Sequence, residues 1–239
     1  AYEITYGDWS SDVCSSDLRD LGLELVGQLD QRLAELGLRD NTLVLFLGDN
    51  GTGGGVKSRF QGRQVRGGKG TTTWRGTRVP LIASWPSVIS TGRVSRDLVS
   101  SVDFLPTICE ATGTPLPTEL RIDGRSFLAQ LRGEKGTPRE WLYAWYNPSG
   151  GANAAAEFAH DARFKLYSTG KFYKVANDDL EKKPLGENSL DADAKAAKAK
   201  LAAALAQFAG PRPEHFVKQY QQFGSEGGGA KNNQRKNWN

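Results

Sequence analysis

Apolar residues recur at helical spacing near the start of the chain: Leu21, Leu25, Leu29, Leu33 and Leu36 form one stripe with polar residues between them. The spacing predicts an amphipathic helix over 20–36 that packs one face on a core and stops at Gly37. After a short polar turn the pattern becomes continuous. Leu43 to Leu47 form an apolar run of strand length, the pattern of a strand covered on both faces in a parallel sheet. Helix followed directly by buried strand is half of an α/β unit. Val79 to Ser84 is a second candidate strand. A further helix is expected from Phe104 to about Ala111, capped by Asp103 and closed by Gly113. Pro106 falls in its first turn, where proline is tolerated.

Beyond residue 115 the texture changes. Pro115, Pro117 and the Asp123-Gly124 turn mark a boundary region. Short aromatic-rich strands follow at 141–146, 164–167 and 172–175, the last two joined by STGK as a hairpin, so a small antiparallel sheet is expected. Residues 191–208 are Ala/Lys/Leu-rich and helical by propensity. The segment from Gly224 has no means of burying anything and is expected to be disordered. The division predicted is an α/β portion over 1–115, a smaller C-terminal α+β subdomain over 116–223 and a tail over 224–239.

The chemistry begins where the apolar run ends. LVLFLGDNGTGGG places Asp49 and Asn50 at the carboxyl end of a strand, the edge where ligands gather in open α/β sheets. A carboxylate and an amide carbonyl are hard oxygen donors suited to Ca²⁺ or Mg²⁺, although Asp-Asn-Gly is also an ordinary turn sequence. From Lys57 to Arg78 the chain carries seven basic residues (Lys57, Arg59, Arg63, Arg66, Lys69, Arg75 and Arg78) and no acid. Such a stretch is a solvated loop or, beside a cleft, an anion cradle. RGGKGTTT puts Lys69 between glycines on a backbone able to approach an oxyanion closely. It is not a Walker loop: Gly62 is one position too early, and Gly70 replaces the Ser/Thr that would hold Mg²⁺.

Composition narrows the class. The 239 residues are 38% apolar and 24% charged, as in ordinary globular proteins, and the net charge of +4 is too mild to suggest a nucleic-acid partner. No apolar stretch is long enough for a membrane span and no signal peptide opens the chain. With no Met, Ala1 is not an initiator and a processed or partial product is expected. Cys14 and Cys109 give neither a disulfide framework nor zinc spacing. Cys109 reads as a small core residue, and the Ser/Asp-rich patch around Cys14 as a loop or foreign junction.

The order DNG, GGKGTTTWRGTRVPLIASWP, SSVDFLPTICEATGTPLP and IDGRSF, with RFKLYSTGKFYKVANDDLEKKPL beyond it, resembles the sulfatase family, the arylsulfatase-like branch of the alkaline-phosphatase superfamily. The resemblance covers roughly residues 20–190 and is strong because several motifs occur in order. It implies part of a mixed, mostly parallel sheet flanked by helices, followed by the small α+β subdomain. It further implies that Asp49 and Asn50 are metal ligands, that the ion is Ca²⁺ with Mg²⁺ the alternative, and that Lys69 contacts the sulfate of an aryl or carbohydrate sulfate ester. Family members attack with a formylglycine made from a Cys or Ser in C/S-x-P-x-R; neither cysteine here has that context, and the segment carrying it is expected in a missing N-terminal half. His160 and His215 match no family motif position.

Two functions follow: a piece of a sulfuric ester hydrolase, inactive alone, or a catalytically silent binder of sulfated ligands or partner subunit. A phosphodiesterase or phosphonate hydrolase of the same superfamily is a further alternative. Export to the periplasm or outside the cell is implied by the resemblance alone. Trp74, Trp141, Trp145 and Tyr146 could stack on a substrate, with Trp141 and Trp145 read as sheet core.

Overall fold

The computed structural model describes residues 2–4, 16–60, 62–89, 92–147 and 156–210. Cys14, His215 and the tail over 224–239 lie outside the described residues. The chain divides into two compact units, Ala1–Glu140 and Trp141–Asn239.

The first unit is built on a mixed four-stranded sheet. In chain order it contains strand β1 (Tyr2–Ile4), helix α1 (Ser16–Glu35), β2 (Val44–Leu47), a separate ribbon of β3 (Lys57–Phe60) and β4 (Arg63–Arg66), and the short helix α2 (Trp74–Thr77). Strands β5 (Leu81–Ser84) and β6 (Arg93–Val94) and helices α3 (Phe104–Thr112) and α4 (Leu128–Arg132) complete it. The sheet order is β2-β5-β1-β6. β1 and β6 run parallel, while β5 is antiparallel to both β1 and β2.

Period-2 alternation sorts β5: Leu81 and Ala83 are buried, while Ile82 and Ser84 are half-buried. The buried pair joins Trp85, Ile89, Phe127, Leu128 and Leu131 in one core, with Leu43 and Leu45 packed against it.

Two expectations are corrected here. β2 pairs antiparallel and is not covered on both faces: it is the outer strand of its sheet, and Phe46 and Leu47 are 43% and 37% exposed. The helix over 16–35 forms and stops as expected, with Gly37 at φ +67 and the Leu38 amide donating to the Leu33 carbonyl at 2.9 Å. Much of its leucine stripe, however, stays outside: Leu33 is half-buried, but Leu25, Leu29 and Leu36 are each more than half exposed. Periodicity says which face of an element is apolar; it does not supply the surface that covers it.

Asp103 is a third correction. It is the last residue of a 3₁₀ turn (Ser101–Asp103) and has a helical conformation, and it makes no side-chain cap on α3. Its buried carboxylate instead accepts from the backbone amides of Ser100 and Arg125, both at 2.8 Å, and from the Arg139 guanidinium. Thr107 completes this hub, donating to the Asp103 carbonyl at 2.7 Å and accepting from the Phe127 amide at 3.0 Å. These bonds tie the Asp123-Gly124 turn and α4 to α3. Residues 116–140, where the composition changes, therefore pack with the first unit.

The second unit is a four-stranded antiparallel sheet in the order β10-β9-β8-β7: β7 (Leu142–Tyr146), β8 (Ala156–His160), β9 (Lys165–Tyr167) and β10 (Phe172–Tyr173). The β9–β10 hairpin turns at Gly170, φ +85. Helix α5 (Ala192–Ala206) starts at Asp191, whose carboxylate accepts from the Ala194 amide at 2.7 Å. Its stripe of Ala194, Ala197, Leu201 and Ala204 packs on Ala159, Phe164, Leu166 and Phe172.

Alternation sends Lys165 away from that packed face, and it is completely buried there. Its ammonium lies 2.9 Å from Glu181 and 3.8 Å from the centre of the Phe158 ring, and Tyr167 donates its hydroxyl to the same glutamate. Glu181 has φ +55, the only non-glycine among the described residues in the left-handed region.

Candidate functional site

The first unit gathers its chemistry where β2 ends. The Gly48 amide donates to the Pro80 carbonyl at 3.1 Å, and Asp49 and Asn50 follow, both exposed. Among the described residues neither side chain has a hydrogen-bonding or ionic partner. The chain then turns through a Val56-to-Gly53 hydrogen bond of 3.0 Å, runs out along β3 and returns along β4. On its return the Gly67 amide donates to the Val56 carbonyl at 3.1 Å and the Lys69 amide to the Thr52 carbonyl at 2.9 Å. Lys69 is thus pinned by its backbone to a residue three positions beyond Asp49. Its side chain is exposed and has no partner among the described residues.

Glycine is what allows these segments to meet. A β-carbon on Gly51 would overlap the Arg75 carbonyl oxygen, and one on Gly67 the carbonyl oxygens of Thr52 and Gly53. A β-carbon on Gly68 would lie 2.6 Å from that of Arg75, and one on Gly76 would overlap the carbonyl oxygens of Thr71 and Gly68. The strand end, the GKG turn and α2 therefore touch backbone to backbone.

Threonines stiffen the turn. Thr71 donates through both its amide (2.9 Å) and its hydroxyl (2.8 Å) to the Gly68 carbonyl, its hydroxyl lies 2.7 Å from that of Thr73, and Thr77 bonds back to the Thr73 carbonyl at 3.1 Å. Arg78 lies 4.2 Å over the Trp74 ring, whose buried Nε1 has no hydrogen-bond acceptor among the described residues. The lysine and the acid were legible as motifs. The glycine contacts were not, because a glycine-rich run reads equally well as a flexible loop.

As a metal centre the pair is a partial one. Ca²⁺ takes six to eight oxygens, and Asp49 and Asn50 offer hard donors but too few to enclose the ion. Among the described residues no three His, Cys, Asp or Glu side chains converge as a metal cluster. The remaining candidates fall elsewhere. Cys109 is buried in α3, as expected of a core residue. His160 sits half-buried on β8 with Nδ1 3.1 Å from the Asp161 carbonyl. Trp141, Trp145 and Tyr146 belong to the second unit, Trp141 packing against its core.

Residues 24–114 match the sulfatase family model, and residues 73–209, more than half of the chain, match the model described as N-sulphoglucosamine sulphohydrolase, C-terminal. Human arylsulfatase A is 40% identical over 119 residues, covering 49% of this chain and 23% of that protein. Mouse steryl-sulfatase is 37% identical over 129 residues, covering 51% and 21%. The solved PsFucS1 sulfatase from Pseudoalteromonas sp. shares the fold with a TM-score of 0.58 at 24% identity, over 77% of this chain and 40% of its own. The chain thus spans less than a quarter of the two curated relatives. It belongs to the sulfatase family.

Proposed function

We propose that this chain takes part in sulfate-ester hydrolysis by holding the sulfate group through Lys69 and donating two metal ligands, Asp49 and Asn50. The observation that carries this reading is the 2.9 Å bond from the Lys69 amide to the Thr52 carbonyl. It ties the backbone of Lys69 to a residue three positions beyond Asp49, and among the described residues the side chains of Asp49, Asn50 and Lys69 are exposed and without partners. Unpaired charged groups at a strand end are free to meet a ligand.

The ammonium of Lys69 offsets the charge that builds on the ester as its bond to sulfur breaks. Ca²⁺, or Mg²⁺ as the alternative, would be held by the Asp49 carboxylate and the Asn50 carbonyl oxygen, and when bound supplies Lewis-acid polarisation of the sulfate. The glycine contacts keep lysine and ligands in register. The 239 residues contain no C/S-x-P-x-R segment, and their cysteine among the described residues is buried in a helix. The chain by itself therefore binds a sulfate ester without turning it over.

Calorimetric titration with 4-nitrophenyl sulfate in the presence of Ca²⁺ tests this. Lys69→Ala should weaken binding about tenfold or more, the loss of one charge-assisted contact. Unchanged binding would refute the assignment of Lys69. Equal affinity for 4-nitrophenyl phosphate would move the reading to phosphate esters, and release of 4-nitrophenol by the chain alone would overturn its silence.

A further inference from the structure

The ribbon between the metal-ligand pair and Lys69 carries a charge pattern that folding does not ask for. In the β3–β4 register Lys57 lies opposite Arg66, Ser58 opposite Val65 and Arg59 opposite Gln64. Directly paired residues share a face, and so do residues two apart on one strand. Lys57, Arg59, Gln64 and Arg66 therefore stand on one face, and all four are exposed. Ser58 and Val65 stand on the other and are half-buried. Like charges set directly across an antiparallel pair destabilise it, yet Lys57 and Arg66 are so placed. Among the described residues no carboxylate pairs with Lys57, Arg59 or Arg66. A two-stranded ribbon with an uncompensated cationic face gains stability from an anion lying on it.

Position gives that face a purpose. β3 leaves directly from the loop after Asp49-Asn50, and β4 runs back into Gly67 and Lys69, so both strands are rooted at the candidate site. Arg59 stands two residues out from Lys57, about 7 Å along the strand. The cations thus form a short rail leading away from Lys69, spaced for anions repeated along a chain and not for a single small ion. We propose that this face is a subsite for a polyanionic carbohydrate: Lys57, Arg59 and Arg66 take sulfate or carboxylate groups on sugar units flanking the ester that Lys69 holds. The inference rests on the sulfate-binding reading of Lys69 and extends it from an isolated ester to a polymer substrate. Nucleic acid is disfavoured because the chain's net charge is only +4 and the ribbon offers no aromatic stacking platform on its cationic face.

The test is binding of the whole chain to dextran sulfate, with uncharged dextran, duplex DNA and 4-nitrophenyl sulfate as separate probes, at about 0.15 M salt. The combined substitution Lys57→Gln, Arg59→Gln and Arg66→Gln should weaken dextran sulfate binding about tenfold or more, about 1.4 kcal/mol, and leave 4-nitrophenyl sulfate binding unchanged. The charge-keeping set Lys57→Arg, Arg59→Lys and Arg66→Lys should retain it, with circular dichroism reporting the fold of each. Should the combined variant not fold, Arg59→Gln alone should still weaken binding severalfold. Undiminished binding by a folded charge-removed variant overturns the proposal. So does duplex DNA bound as tightly as dextran sulfate, or uncharged dextran bound at all. Lys69→Ala separates the two readings: it should weaken monoester binding about tenfold or more, whereas the ribbon variants act only on the polymer.

Discussion

Two charge clusters, one in each unit, are handled in opposite ways. In the first, Asp49, Asn50 and Lys69 are exposed and without partners among the described residues, held in place by backbone contacts that only glycine permits. In the second, Lys165 and Glu181 are withdrawn from water and satisfied by each other and by a tyrosine. The first arrangement leaves charge free for a ligand. The second uses charge to fix a fold, because a buried ion without its partner is costly. A lysine's surroundings, and not its identity, separate a site from a strut.

The contrast breaks hardest at Lys165. Lys165→Met would leave the Glu181 carboxylate buried without its counter-charge, met only by the Tyr167 hydroxyl, and should cost the second unit about 3–5 kcal/mol. Hydrogen exchange of β8 and β9 would report the loss, and adding Glu181→Gln should recover most of it. Equal loss of protection in the first unit would show that the two are not separate cooperative bodies.

Next in size are the glycines. Gly51→Ala and Gly76→Ala should each cost about 1–3 kcal/mol by overpacking, and urea unfolding of the first unit would measure it. Gly53→Ala, whose β-carbon would meet nothing, should stay within about 0.5 kcal/mol. If Gly53→Ala is as damaging as Gly51→Ala, close approach is not what holds the site.

Titration sharpens the comparison further. Burial pushes the Lys165 ammonium below the ordinary lysine value of 10.5, against an upward pull from Glu181. With the folded value depressed, the unfolded chain keeps its proton over a window ending near 10.5, so stability rises with pH across that window. Melting temperatures of the wild type, minus those of the Lys165→Met/Glu181→Gln variant, should rise there. A falling difference would refute the assignment.

The smallest effect is at the surface. A hydrogen bond from Arg163 holds the Asp193 carboxyl below its ordinary 3.8. Its contribution is present above that value and disappears as pH falls through the depressed folded one. Because both groups are exposed, Asp193→Asn should shift the acid limb only slightly, and about 1 M salt should erase the difference.

Much of this was readable from the chain. The helix ends at Gly37 and Gly113, the Asp191 start of α5 and the β9–β10 hairpin follow from local chemistry, which acts over a few residues whatever the rest does. The sheet-and-helix architecture followed from short apolar and aromatic runs and from helical spacing. What stayed hidden depends on distant residues. Strand β8 was missed because AEFAH lacks β-branched residues and owes its place to neighbours on both sides. Asp103 was read as a cap, because nothing local announces Arg139 thirty-six positions away. At the site, the residue types of Asp49, Asn50 and Lys69 were visible, but the glycine contacts behind them emerge only when three segments fold together.

Position 181 shows what such a bargain means for variation. A glutamate occupies a backbone shape that glycine enters freely, at a cost of about 1–3 kcal/mol. Substitution by glycine would relax the turn and strand the lysine beneath it, while almost any other replacement would do neither job well. The position admits little drift, and a mutation at its partner would leave the turn spring-loaded toward release.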